Sequence, residues 1–130
     1  MPETPTAKRV LIVGDTPRWK KTALAAIPDG CHVRVGTDYI DALGTLFKPG
    51  GVGEERFDLH ILAHQMPEKN NGLGILTELR EDGQTGHVII FSDHVDQETV
   101  SRIAELGGTV IPRKNGGAKL AAKVVGLLMA

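Results

Sequence analysis

Short apolar runs recur along the chain, each followed by a polar turn and then by a segment with helical spacing. Val10–Val13 is apolar at consecutive positions, the pattern of a strand buried on both faces. Gly14, Asp15, Thr16 and Pro17 close it. Thr16 is placed to cap a helix and Pro17 to sit in its first turn. That helix continues from Trp19 to Ile27 and stops at Pro28-Asp29-Gly30. Cys31–Val35 reads as a second strand, with Val33 and Val35 alternating against His32 and Arg34. Asp38 opens a second helix whose Ile40, Leu43 and Phe47 face inward. Residues 48–56, rich in Gly, read as a flexible loop.

Leu59–Ala63 is a third, buried strand that empties into a loop carrying Met66-Pro67. After Asn70-Asn71-Gly72 comes a third helix with Leu73, Leu76 and Leu79 as its stripe. Val88–Phe91 is a fourth strand. A fourth helix runs from about Val95 to Leu106 and ends at Gly107-Gly108. Thr109–Ile111 is a fifth strand, ended by Pro112, and Lys119–Met129 is the last helix. Strand and helix thus alternate through the chain. That predicts an α/β protein with a parallel sheet, helices on both faces and right-handed crossovers. Residues 1–8 read as a flexible arm and residues 9–130 as one domain.

Composition narrows this picture. With 130 residues the chain can bury one substantial core. Its 41% hydrophobic and 24% charged content is that of a water-soluble globular protein. A net charge of -1 gives no broad attraction to nucleic acid or to a membrane surface. The single cysteine, Cys31, excludes an intramolecular disulfide and fits a cytoplasmic location. The polar, proline-bearing start predicts no signal peptide. No segment reaches the roughly 20 apolar residues of a membrane span.

Taken in order, the residues resemble the receiver domain of bacterial response regulators, over about residues 8–129. Leu11–Pro17 resembles the family's first strand with the acidic pair that follows. Gly30–Val33 with Asp41-Ala42-Leu43, and Asp58–Pro67, resemble two further family stretches. Phe91-Ser92 and Gly107–Lys114 resemble the ends of the last two strands. The resemblance implies a flavodoxin-like (βα)5 three-layer sandwich with strand order 2-1-3-4-5. It also implies Mg²⁺-dependent phosphoryl transfer from a histidine kinase to an aspartate. Such a site needs carboxylates around a hard cation.

Carried over by position, that site is incomplete. The acidic pair is Gly14 and Asp15. The phosphoacceptor position is Ala63, followed by His64. The hydroxyl position keeps Ser92 and the lysine position keeps Lys114. The aromatic switch position is Ile111. Ala63 has no nucleophilic oxygen, and Asp15 alone would hold Mg²⁺ weakly. The expectation is a degenerate receiver with no catalytic residues, no cofactor and no metal. It would act by protein–protein contact with a signalling partner or an attached output domain, and would bind neither nucleic acid nor membrane. By resemblance, a homodimer would use the face of the fourth helix, fifth strand and fifth helix, within Glu98–Glu105, Val110–Arg113 and Ala118–Gly126. The alternative is a ligand- or metal-sensing domain that uses the altered pocket of Asp15, Ser92 and Lys114.

Individual residues carry further expectations. Asp15 and Lys114 either pair across the emptied pocket or stand separately solvated. His60 falls on the strand face opposite Ala63 and reads as a hydrogen-bonded core residue. His64 reads as solvent-facing beside the pocket. Two minor readings give it a divalent cation shared with Asp15, or a phosphoryl group of its own. Asp93 reads as a helix N-cap, or else as a replacement carboxylate. Arg18, Lys20 and Lys21, with Lys8 and Arg9, make a basic neighbourhood. Trp19 reads as partly exposed near the start of its helix, either anchoring an interface or packed against that helix.

Overall fold

The computed structural model describes residues 8–14, 16–36, 57–64, 72–114 and 116–128. Five strands, β1 (Arg9–Val13), β2 (His32–Gly36), β3 (Leu59–Leu62), β4 (His87–Phe91) and β5 (Gly108–Ile111), form one sheet. Their order is β2-β1-β3-β4-β5 and every pairing is parallel, as expected. The described helices are α1 (Pro17–Ala25), α2 (Gly72–Glu81), α3 (Gln97–Glu105) and α4 (Gly117–Leu128). The helix expected after Asp38 and the loop at 48–56 lie outside the described residues, as do most of the N-terminal arm and the Met66-Pro67 loop.

Alternation along the strands divides the core in two. Val10, Ile12, Leu59, Ile61, Ala63, Ile89, Phe91 and Ile111 point to one side, where Trp19 and Ala23 of α1 and Leu120, Val124 and Leu128 of α4 cover them. Leu11, Val13, Leu62, Val88 and Ile90 point to the other, under Ile75, Leu76 and Leu79 of α2 and Ile103 of α3. The strands read as continuous apolar runs because both faces are covered. The edge strand β2 departs from this. Val33 and Val35 are 38% and 39% exposed, and β1 alone flanks their strand in the sheet.

The caps follow sequence chemistry with one correction. Thr16 is extended, and its hydroxyl accepts the Trp19 amide at 3.2 Å, with Pro17 in the first turn. At α3 the cap is Asp96, not Asp93. The Asp96 carboxylate accepts the Thr99 amide at 2.8 Å, so the helix begins later than its apolar pattern suggested. The Thr99 amide and hydroxyl hold that carboxyl below the usual carboxylate range, with help from nearby His64. Gly107, at φ 80°, closes α3 in a backbone conformation that side chains disfavour.

Candidate functional site

The carboxyl ends of β1, β3, β4 and β5 bring Gly14, Ala63, Ser92 and Pro112–Lys114 to one edge of the sheet, where parallel α/β folds place their sites. Asp15 lies outside the described residues, and with it the expected pair to Lys114. Ala63 is held by its amide, which donates to the Val13 carbonyl at 2.9 Å, and it is buried. Its carbonyl faces the start of α2. A Cβ on Gly72 would come within 2.6 Å of that oxygen, so only glycine lets the helix approach so closely. The side chain of Ala63 therefore contributes one methyl group to the α1–α4 core.

Beside it stands Trp19, and here the expectation of partial exposure is wrong. Trp19 is 1% exposed. Side chains in a helix lean toward its N-terminus, so a residue of the first turn points back over the strand ends. The indole lies over Gly14. A Cβ added there would overlap Cε3 and Cζ3 of the ring and lie 2.7 Å from Cδ2. The indole Nε1–H donates to the Phe91 carbonyl at 2.6 Å, and the two rings pack at 5.9 Å between centroids. The pair Gly14 and Trp19 is the signal that sequence reading missed. A glycine where a side chain would be expected left room that the next helical turn could fill.

Ser92 lies across from Ala63. Its amide donates to the Ile111 carbonyl at 3.1 Å, and its hydroxyl accepts the His64 amide at 2.6 Å. The ends of β3, β4 and β5 are therefore joined through this one residue. Ile111 is buried in the α1–α4 core with Phe91. His64 is half-buried rather than solvent-facing, and its Nδ1 is buried without a partner among the described residues. Asp93, freed from the capping role, accepts the Lys114 amide at 2.9 Å and fixes the turn after β5. Lys114 is itself exposed. His60, fully buried, sits on the face opposite Ala63, and its Nδ1–H reaches the His87 carbonyl at 3.0 Å, as a core histidine should. Among the described residues no three His, Cys, Asp or Glu side chains converge as a metal site.

Comparison with known proteins places this geometry. The sequence profile of the response regulator receiver domain matches residues 10–124. No curated protein sequence matches the chain. Among solved structures, response regulator DrrB of Thermotoga maritima is similar at 20% identity and a TM-score of 0.79, covering 95% of this chain. This chain spans 54% of the length of DrrB. Chemotaxis response regulator CheY4 of Vibrio cholerae is similar at 20% identity and a TM-score of 0.76, covering 95% of this chain and 100% of CheY4. The receiver domain of Francisella response regulator 1452 is similar at 19% identity and a TM-score of 0.76, covering 94% of this chain and 97% of that one. At such identities the structures speak for the fold, which is the same five-stranded order found here. The profile speaks for the family: from the first strand into the last helix, the chain belongs to the response regulator receiver domain family.

Proposed function

We propose that this receiver domain signals through protein–protein contact, independently of aspartyl phosphorylation. The observation that carries the reading is the indole of Trp19, packed where a side chain at position 14 would stand. Mg²⁺ demands an octahedron of oxygen ligands. Around the strand ends the described residues offer a methyl group at Ala63, a ring over Gly14, and an Asp93 carboxylate already bonded to the Lys114 amide. With Asp15 as the one carboxylate left of the acidic pair, these groups make a poor donor set for the ion. Phosphoryl transfer to Ala63 has no nucleophile to use. Ser92 has its hydroxyl engaged by the His64 amide, and Ile111 is a buried aliphatic residue rather than a mobile aromatic.

The module would act as a binding domain, not an enzyme, in the cytoplasm. Its partner would be a signalling protein or an attached output domain, and the face of α3, β5 and α4 is one surface for it. No described helix is long and apolar enough to cross a membrane. The alternative, a small-ligand sensor, would need the indole to leave the space it fills. The test is incubation with Mg²⁺ and a small acyl-phosphate donor, followed by intact-mass measurement and acid and base treatment. The expected result is an unmodified chain. A stable phosphoryl adduct, on His64 or elsewhere, would overturn the reading.

A further inference from the structure

The basic neighbourhood seen in the sequence around α1 is half of a larger feature. α1 carries Arg18, Lys20 and Lys21, and α4, packed beside it on the same face of the sheet, carries Lys119 and Lys123. Neither helix contains an acidic residue. On the other face the balance reverses. α2 and α3 carry Glu78, Glu81, Glu98 and Glu105 against two arginines. Both arginines are committed: Arg80 to backbone carbonyls and Arg102 to Glu105 at 3.3 Å. Among the described helices, a net charge of -1 therefore conceals two layers of opposite sign. Shape follows charge. The basic layer exposes two aliphatic side chains, Leu24 at 42% and Val125 at 46%. The acidic layer holds a groove of about 610 Å³, lined by Leu73, Glu98, Thr99, Ser101, Arg102 and Glu105.

We infer that the α1–α4 face of one copy docks on the α2–α3 face of a second copy, head to tail. The inference rests on the reading of the domain as a contact module and names its partner as another copy of this chain. The complement of the basic face is present on the same molecule. Lysines meeting glutamates set the orientation, and exposed aliphatic side chains have a groove to enter. Because two different surfaces meet, the contact is heterologous. Copies would add in series unless the rotation closes a ring. This differs from a symmetric dimer through α3, β5 and α4, which would stop at two copies.

The test is sedimentation velocity across a concentration series. The wild type is expected to show a mass that rises continuously with concentration in low salt. It should fall back to a monomer in about 1 M salt, where the screening length is about 3 Å. Lys21→Glu with Lys123→Glu should be monomeric in low salt, and so should Glu98→Lys with Glu105→Lys. All four positions are exposed, and circular dichroism checks that each variant is folded. Mixed one to one, the two variants should associate again, because each mixture restores one native pairing of faces and creates one swapped pairing. A wild type that stays monomeric at high concentration in low salt would overturn the inference. So would an association that both variants retain alone, or one that ends at a dimer. The phosphorylation readout is separate, so failure here leaves the contact-module reading to its own test.

Discussion

The indole Nε1–H of Trp19 donates to the carbonyl of Phe91 at 2.6 Å, across 72 positions of sequence. This bond ties the first turn of α1 to the end of β4, above the strand ends where receivers do their chemistry. An isolated donor so deep in the core would be costly, and here it is satisfied by a carbonyl at the very end of a strand. The ring also fills the volume over Gly14. One side chain thus packs over the end of β1 and is tied to the end of β4.

Trp19→Ala should therefore destabilise the fold by about 3–5 kcal/mol, the range for deleting a buried aromatic side chain. Trp19→Phe keeps most of the packing and removes the donor, so it should cost about 1–3 kcal/mol. Urea denaturation gives both values. The chain has a single tryptophan, so its fluorescence reports on this site alone. In the wild type, emission should be blue-shifted and insensitive to added Mg²⁺. A saturable change with Mg²⁺ would contradict the proposed loss of the metal site.

The centre of the sheet was legible because β1, β3 and β4 are buried on both faces, which leaves an unbroken apolar run such as Val10–Val13 or Val88–Phe91. The site was legible only by position. Ala63 and Ser92 could be placed by register, but the occupant of the space between strands could not. The direction of the Trp19 side chain depends on where its helix starts, and that start is set by the Thr16 cap. Asp93 shows the same limit. Asp96 is extended and its carboxylate takes the Thr99 amide, while the Asp93 carboxylate takes the Lys114 amide from 21 positions away, a contact that the local sequence does not announce.

Close packing at Gly14 gives a second prediction. Gly14→Asp would drive a carboxylate into the indole, and should destabilise by about 1–3 kcal/mol through overpacking. The cost should shrink when Trp19 is already Ala, because the volume is then free. A double-mutant cycle in urea measures the difference, which should exceed about 1 kcal/mol. Additive effects would mean that the ring and position 14 are not competing for one space.

Arg80 provides a third. Its Nε donates to the Leu106 carbonyl at 2.7 Å, and its Nη1 to the carbonyls of Gln84 at 2.8 Å and Gly86 at 3.1 Å. The guanidinium thereby joins the end of α2, the approach to β4 and the end of α3. Burial lowers its pKa from the ordinary arginine value. Arg80→Ala should cost about 2–3 kcal/mol, the scale of lost hydrogen bonds from a charged group. Arg80→Lys should recover less than half, because an ammonium cannot reproduce the planar fork. Amide exchange should quicken at Gly107 and His87 in both variants before it does in β1.

His60 makes stability depend on pH in a definite direction. Its Nδ1 faces the His87 carbonyl, which can only accept, so the proton of the neutral ring sits on Nδ1. Nε2 is then a bare acceptor, buried with no partner among the described residues. Burial lowers the His60 pKa from 6.5 to about 4; the His87 carbonyl and Asp58 oppose the shift, while Arg80 and His87 add to it. The unfolded chain binds this proton near pH 6.5 and the folded chain only near pH 4. The neutral ring's contribution is therefore complete above pH 6.5, declines through the interval, and is gone below about pH 4. The full loss is about 3 kcal/mol, at 1.36 kcal/mol for each pH unit. His60→Leu keeps an apolar side chain of similar size in the core and removes the titration. Urea midpoints measured from pH 7.5 to pH 4.5 should fall more steeply for the wild type than for this variant. Parallel curves would show that His60 does not set the acid limb of stability.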